Sequence, residues 1–462
     1  MYQESLAAPQ RKVLLSGKKE VTPDNLAEAL AQAIGIEIAT IPLYLYTYYS
    51  LNRSPDQEAM QAAIVPLLEK AGLSPEEAAA KALDLSAEIM VYANKAGALI
   101  MSVVVEEMLH LALSSNVMQA LCGVPELVGK SPVFPAVLPG HEPVFTMDLA
   151  PFSLDQLKTF LKIESPDEIH PDLLRAAPFP YITIGKFYEQ IKHCISTCDI
   201  PFRAAPQLVP GRGYYIPNSI DTVYYDKQHR PQYANAGDSG DLIEVVDKAS
   251  ACTAIEIIQH QGEGNEGVEG LLPDNTPNCA APRIRADYDD PSGEELSHFE
   301  KFAQAWCTYK ELTTRLEPYG ITADTVRSWF VLELPVNPKT AQYPANLQKL
   351  STLLNAIYTY IFVMTEACYK KEGNTQYEIF IFGIHKSMIF LLNSICGFMT
   401  GQKYTNDKGV EVLAGPTFED YAFDSASSPK AQLLALFNEA VAVYPDIQYL
   451  GTRLQDMPDV AL

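Results

Sequence analysis

VVVEEMLHLAL, Val103 to Leu113, sets two glutamates and a histidine in the middle of an otherwise apolar run. An ionised carboxylate is costly to bury unless a partner compensates it. The question is what compensates Glu106, Glu107 and His110. On a helix of about 3.6 residues per turn, positions i and i+3 project from one face within one turn. Glu107 and His110 can therefore reach one metal ion together. Ser114 and Val117 continue that face, which directs it into a bundle and not to solvent.

The segment has a second copy. Glu106-Glu107-x-x-His110 recurs as Glu294-Glu295-x-x-His298, in GEELSHFEKF. A di-metal carboxylate centre in a four-helix bundle takes two such E-x-x-H helices and one glutamate from each of two further helices. The first helix offers Glu37, on the stripe Leu30, Ala33, Glu37, Ile41 and Tyr44. Steps of three and four residues make this a core-facing stripe, with a carboxylate where an aliphatic side chain belongs. The fourth contributor is expected near the end of the helix before Glu295, since antiparallel neighbours match residues equally far from their connection. Glu263, in HQGEG, meets that condition, with Glu256 as second choice and His260 as an outside candidate.

The predicted ligands are therefore Glu37, Glu107, His110, Glu263, Glu295 and His298. Carboxylates and imidazoles without thiolate favour iron, with manganese as the alternative, over a structural zinc site. By analogy with the four-glutamate, two-histidine bundle, about two ions per chain are expected. Each ligating imidazole needs an acceptor on its other nitrogen. Glu106 and Glu294 are near enough in sequence to serve, but read first as solvated surface glutamates.

The 462-residue chain is 47% hydrophobic and 20% charged, with a net charge of −23 and a pI near 4.7. Nucleic acid and anionic membrane both require a basic surface, so neither is an expected partner. The first 20 residues lack the layout of a secretory signal, and the eight cysteines include no C-x-x-C pair. Reduced thiols and a cytoplasmic address are expected. The most apolar window, IFIFGIHKSMIFLLNSICGFM, carries a lysine and an asparagine and reads as a core helix.

Thr22-Pro23 marks a helix start, and this first helix, interrupted by Pro42, runs to about residue 51. SPEEAAAKALDLSAE reads as one or two short helices, followed by a long helix from about residue 87 to 121 that Gly123-Val124-Pro125 stops. Nearly half of the 33 prolines fall in residues 125–236, which read as an insertion of loops and short strands with one helix at YITIGKFYEQIKHCIS. Helical periodicity returns at DLIEVVDKASACTAIEIIQHQGEG and again from GEELSHFEKF. After prolines 335–344, helices are expected at 345–371, 376–400 and 429–443. The fold class is mainly α: a four-helix bundle over 20–334, interrupted by the insertion between its second and third helices, then a helical region over 335–462. The late helices carry more apolar length than one bundle needs, so they should pack against it or against a second copy of the chain.

The stretches EIATIPLYLYTYYSL, EEMLHLALSSNVMQALCGVPEL, TIGKFYEQI, QGEG, ELSHFEKF and AGPTFED together resemble the ferritin-like proteins grouped with the iminophenyl-pyruvate dimer synthases of violacein and rebeccamycin biosynthesis. The resemblance spans Glu37 to about Asp420 and implies the same six ligands. It also implies oxidation or coupling of an amino-acid-derived imine, with O2 or peroxide as co-substrate. The chain departs from the family pattern at Lys186 and His260, where acidic residues are usual.

Three functions compete. One is a di-metal oxidoreductase acting on a small organic substrate, with the insertion roofing the site. Tyr181, Phe187, Tyr188, Tyr214 and Tyr215 then line a pocket, though each reads first as core packing. The second is ferroxidase or iron-handling activity, which fits a bare bundle better than one with a long insertion. The third is a non-catalytic scaffold, which the full ligand set disfavours.

Overall fold

A computed structural model describes residues 21–140, 146–165, 183–209, 242–262, 276–285 and 296–462. Helix α1, Leu26–Tyr49, contains Pro42, which cannot donate to the Ile38 carbonyl. Its N-cap is Asn25 and not Thr22, because the Asn25 side chain accepts the Thr22 N–H at 2.8 Å and closes a turn ahead of the helix. Helix α2, Gln57–Lys70, is capped by Asp56.

Helix α3 runs unbroken for 47 residues, Pro75–Leu121, where separate helices were expected. Ser74 and Glu77 form a reciprocal capping box, and no proline or glycine interrupts the chain from there until Gly97. With that N-terminus fixed, the alanine-rich segment simply continues into the apolar run. Helix α2 lies along the first part of α3, where Gln57 and Gln61 both donate to Ser86 Oγ at 3.2 Å.

The insertion holds a two-stranded antiparallel pair, β1 Ala136–Val137 with β2 Thr146–Met147. Among its described residues are also the helices α4, Leu154–Ile163, which the sequence does not suggest, and α5, Ile184–Thr197, which it does. Helix α6, Lys248–Gly262, and helix α7, His298–Leu316, complete the bundle: α1 packs along α3, which also meets α6 and α7. Helix α5 covers α6, and α4 covers α7. A short helix α8, Ala323–Phe330, leads out of the bundle.

Beyond it come α9, Ala345–Cys368, and α10, Gly373–Glu378, which passes through π-helical turns at Ile379–His385 and Ser387–Leu392 into α11, Asn393–Thr400. A hairpin, β3 Lys403–Thr405 with β4 Glu411–Leu413, precedes α12, Pro429–Val441, and α13, Gly451–Asp456. This region is fastened directly to the bundle. Gln119 donates to the Tyr369 carbonyl at 2.9 Å, and the Glu366 carboxylate accepts the Leu127 and Val128 N–H groups at 2.7 and 2.9 Å. Gly415, in the AGPTFED stretch, lies so close to the Tyr46 hydroxyl that a Cβ there would collide with it.

Among the described residues, two helices are long and apolar enough to cross a membrane, α1 and α3, but 78% and 94% of their most apolar windows are buried inside the protein. They are core helices. The expectation of uniformly reduced thiols is overturned: Cys279 and Cys307, 28 residues apart, form a disulfide. The segment 276–285 folds back onto α7, a tertiary contact that cysteine spacing does not reveal. Disulfides persist mainly in oxidising compartments, so thiol usage no longer argues for a cytoplasmic address.

Candidate metal centre

Glu107 and His110 sit one turn apart on the buried face of α3, as the i, i+3 spacing requires. With His298 they form a wholly buried cluster whose potential ligand atoms lie within 4.8 Å of one another. Glu107 Oε1 is 2.9 Å from His298 Nδ1 and 3.7 Å from His110 Nδ1. The two imidazole rings stack with centroids 5.1 Å apart. Glu37, from the facing side of α1, brings Oε2 to 3.8 Å from His110 Nδ1.

Glu263 and Glu295, the remaining predicted ligands, lie outside the described residues, as does Glu294. In the second E-x-x-H, Leu296 and Ser297 precede the helix. Helix α7 begins at His298, with Ser297 as N-cap in a reciprocal capping box with Glu300. The Ser-x-x-Glu signal overrides the preceding glutamate pair as the start of the helix. The same-face argument holds for Glu107 and His110, while Glu295 lies outside the described residues. Glu256 is exposed beside Lys192, at 3.4 Å, and His260 is exposed, so neither belongs to the cluster.

Several groups around the cluster were not anticipated. Glu106 is not a solvated surface residue: it is 2% exposed and receives the Lys301 ammonium at 2.5 and 2.8 Å. Its Oε2 also lies 2.8 Å from His298 Nε2. Lys301 follows His298 by one turn on α7, so both side chains reach the same carboxylate. Glu164, at the end of α4, places Oε2 3.4 Å from His298 Nδ1, while its Oε1 accepts the Tyr44 hydroxyl. Tyr188, on α5, donates to Glu37 Oε1 and lies 3.0 Å from Ser114 Oγ. The hydroxyl of Thr40 is bonded to Glu107 Oε2. Phe160 and Phe302 pack on Tyr44 at centroid distances of 4.6 and 5.0 Å and exclude water from that side.

Among the aromatic pocket candidates, Phe187 and Tyr188 are buried, and Tyr181, Tyr214 and Tyr215 lie outside the described residues. Lys186 is partly buried near the start of α5.

The electrostatics suit a cation. Four carboxylates, Glu37, Glu106, Glu107 and Glu164, are buried here with one ammonium, Lys301, among the described residues. Burial, then the neighbouring Glu107 charge, pushes the Glu37 carboxyl well above its ordinary value. Burial also raises Glu164, against the opposing pull of His298. Burial pushes Glu107 up too, but the adjacent His298 and His110 outweigh it and hold this carboxyl low. For His298, burial opposes the charged ring, yet the Glu164, Glu106 and Glu107 carboxylates raise it well above its usual range. His110 is lowered to about 4 by burial and by the His298 charge.

His110 Nε2 is 2.9 Å from Gln261 Oε1, on α6, an acceptor that places the ring proton on that nitrogen. The Nδ1 lone pair then faces Glu37 and Glu107 oxygens at 3.8 and 3.7 Å, a set of donors that a cation would join. Both His298 nitrogens lie against carboxylate oxygens without the alignment of hydrogen bonds. A buried set of carboxylate and imidazole donors left in this condition suits a transition-metal ion.

The chain was compared with known proteins. A family model described as ferritin-like matches residues 30–305. Among solved structures, the chain is similar to a ferritin-like protein from Caulobacter vibrioides, with 19% identity over 81% of this chain and 97% of that one and a TM-score of 0.37. No curated protein matches the sequence.

Proposed function

The chain belongs to the ferritin-like family, and on that premise we propose that it is a non-haem di-metal oxidoreductase. Its resident ions are iron, with manganese as the alternative, and its co-substrate is O2 or peroxide. The organic substrate is a small amino-acid-derived molecule such as an imine. The observation that carries the metal reading is the approach of Glu107 Oε1 to both histidine Nδ1 atoms inside a buried, carboxylate-rich interior. The substrate class rests on the likeness of the EEMLH, TIGKFY and ELSHFEKF stretches to the imine-dimer synthase group.

Glu37, Glu107, His110 and His298 would hold the metal, together with Glu263 and Glu295 from the sequence pattern. Bound there, iron or manganese supplies electron transfer to O2 or peroxide, chemistry that side chains alone lack. The chain's own groups fix the geometry. Gln261 sets the His110 tautomer, and Glu106 with Lys301 orients the His298 ring. Thr40 holds the Glu107 carboxylate through Oε2, and the aromatic wall around Tyr44 keeps water from the reacting groups.

Metal quantitation on protein purified from iron-supplemented culture tests the proposal. About two ions per chain are expected for the wild type, and substantially fewer for Glu107→Ala and His298→Ala. Full metal content in both variants would sink it.

A further inference from the structure

We propose that Glu164, delivered by the insertion and not by a bundle helix, is a metal ligand that pairs with His298 to form the second of two matching half-sites. The inference rests on the metal-centre reading above and extends it to a residue outside the expected bundle ligands.

The two halves have the same construction. In one, Glu37 directs Oε2 toward His110 Nδ1 at 3.8 Å while its Oε1 accepts a tyrosine hydroxyl, from Tyr188. In the other, Glu164 directs Oε2 toward His298 Nδ1 at 3.4 Å while its Oε1 accepts a tyrosine hydroxyl, from Tyr44. Glu107 lies between them, with Oε1 facing both Nδ1 atoms. The far nitrogen of each ring also has a polar oxygen close by, Gln261 Oε1 at 2.9 Å from His110 Nε2 and Glu106 Oε2 at 2.8 Å from His298 Nε2. Each half thus offers one imidazole nitrogen and one carboxylate oxygen directed at it, with the oxygen of Glu107 facing both.

The position of Glu164 along the chain explains why a bundle pattern misses it. It follows directly on α4, Leu154–Ile163, and its Oε2 is in ordinary contact distance, 3.7 Å, of where a Cβ on Gly262 would stand. Gly262 closes α6, the helix from which a bundle pattern would draw its fourth carboxylate. The insertion therefore brings an acid to that end of the bundle from outside it.

The test is anaerobic titration of metal-depleted protein with Mn(II), followed by stoichiometry and by electron paramagnetic resonance. The wild type is expected to bind about two ions per chain as a spin-coupled pair. Glu164→Gln preserves size and hydrogen-bonding capacity, and is expected to bind one ion with the signal of isolated Mn(II). Glu37→Gln should do the same from the other half. Tyr44→Phe removes the bond to the far oxygen of Glu164 and should keep both ions, which separates ligation from a structural role of the Tyr44–Glu164 contact. Circular dichroism confirms that each variant is folded, and Glu164→Asn replaces the glutamine variant if that one is not. Two coupled ions in folded Glu164→Gln overturn this proposal while leaving the metal-centre reading intact. A wild type that binds no Mn(II) or Fe(II) overturns both.

Discussion

The Lys301 ammonium lies 2.5 Å from one carboxylate oxygen of Glu106 and 2.8 Å from the other, with both residues almost wholly buried. Of the glutamates in the apolar run, Glu106 is thus paired with a lysine, while Glu107 belongs to the candidate metal cluster.

Lys301→Met strands the Glu106 charge in the interior and should destabilise the protein by about 3 kcal/mol or more. The double variant Glu106→Gln with Lys301→Met removes both charges and should recover most of that loss. Denaturant unfolding of the wild type and three variants measures the cycle. Simple additivity of the two single losses would contradict the pairing.

The pH dependence of the metal-free protein has two parts of opposite sign. His110 titrates near 4 in the fold against 6.5 ordinarily, so its contribution to stability is complete above 6.5 and is lost as pH falls toward 4. Glu37 and His298 are both held above their ordinary values. Their contributions are present below those ordinary values and are lost as pH rises through the folded ones. The melting temperature of chelator-treated protein should therefore decline on the alkaline side, and Mn(II), which displaces those protons, should reverse the decline and release protons. Scans from about pH 5 to 8 with and without Mn(II) check this, and no metal effect at alkaline pH would contradict it.

Tyr188→Phe deletes the hydroxyl that joins Glu37 to Ser114. A loss of about 1–2 kcal/mol in stability is expected, together with weaker metal binding in the half-site of Glu37. Titration of the variant with Mn(II) reads the second effect. Unchanged affinity would show that the hydroxyl does not hold the carboxylate for its ligand role.

The Cys279–Cys307 bond closes a 28-residue separation and ties the 276–285 segment to α7. Loop-closure entropy assigns such a bond about 3–4 kcal/mol. Cys279→Ser should lower the melting temperature, and dithiothreitol should lower that of the wild type but not of the variant. Equal melting of reduced and untreated wild type would contradict the bond.

Legibility in the sequence followed the range of the forces involved. Glu107 and His110 were readable because one helical turn links them, and Glu37 because it interrupts an apolar stripe. His298 is legible from the repeated E-x-x-H, while the start of its helix is set by Ser297 and Glu300. Lys301 had a local signal, one turn beyond His298, but its partner Glu106 is 195 residues away in sequence. Glu164 had none. It ends a short amphipathic helix inside a proline-rich insertion, and only tertiary packing brings it to His298. The continuity of α3 has no local mark: SPEEAAAKALDLSAE reads as one or two short helices, whereas the capped segment runs on into the apolar stretch.

That continuity has a mechanical consequence. Forty-seven residues of helix make a shaft about 70 Å long, meshed with α2 near one end and bearing Glu107 and His110 toward the other. Adding or removing one residue between Ser86 and Ser102 would rotate everything downstream by about 100° and point both side chains away from α7. Changes of chain length in this stretch would thus dismantle the centre from a distance, and only the loops before Ser74 and after Leu121 leave its phase untouched.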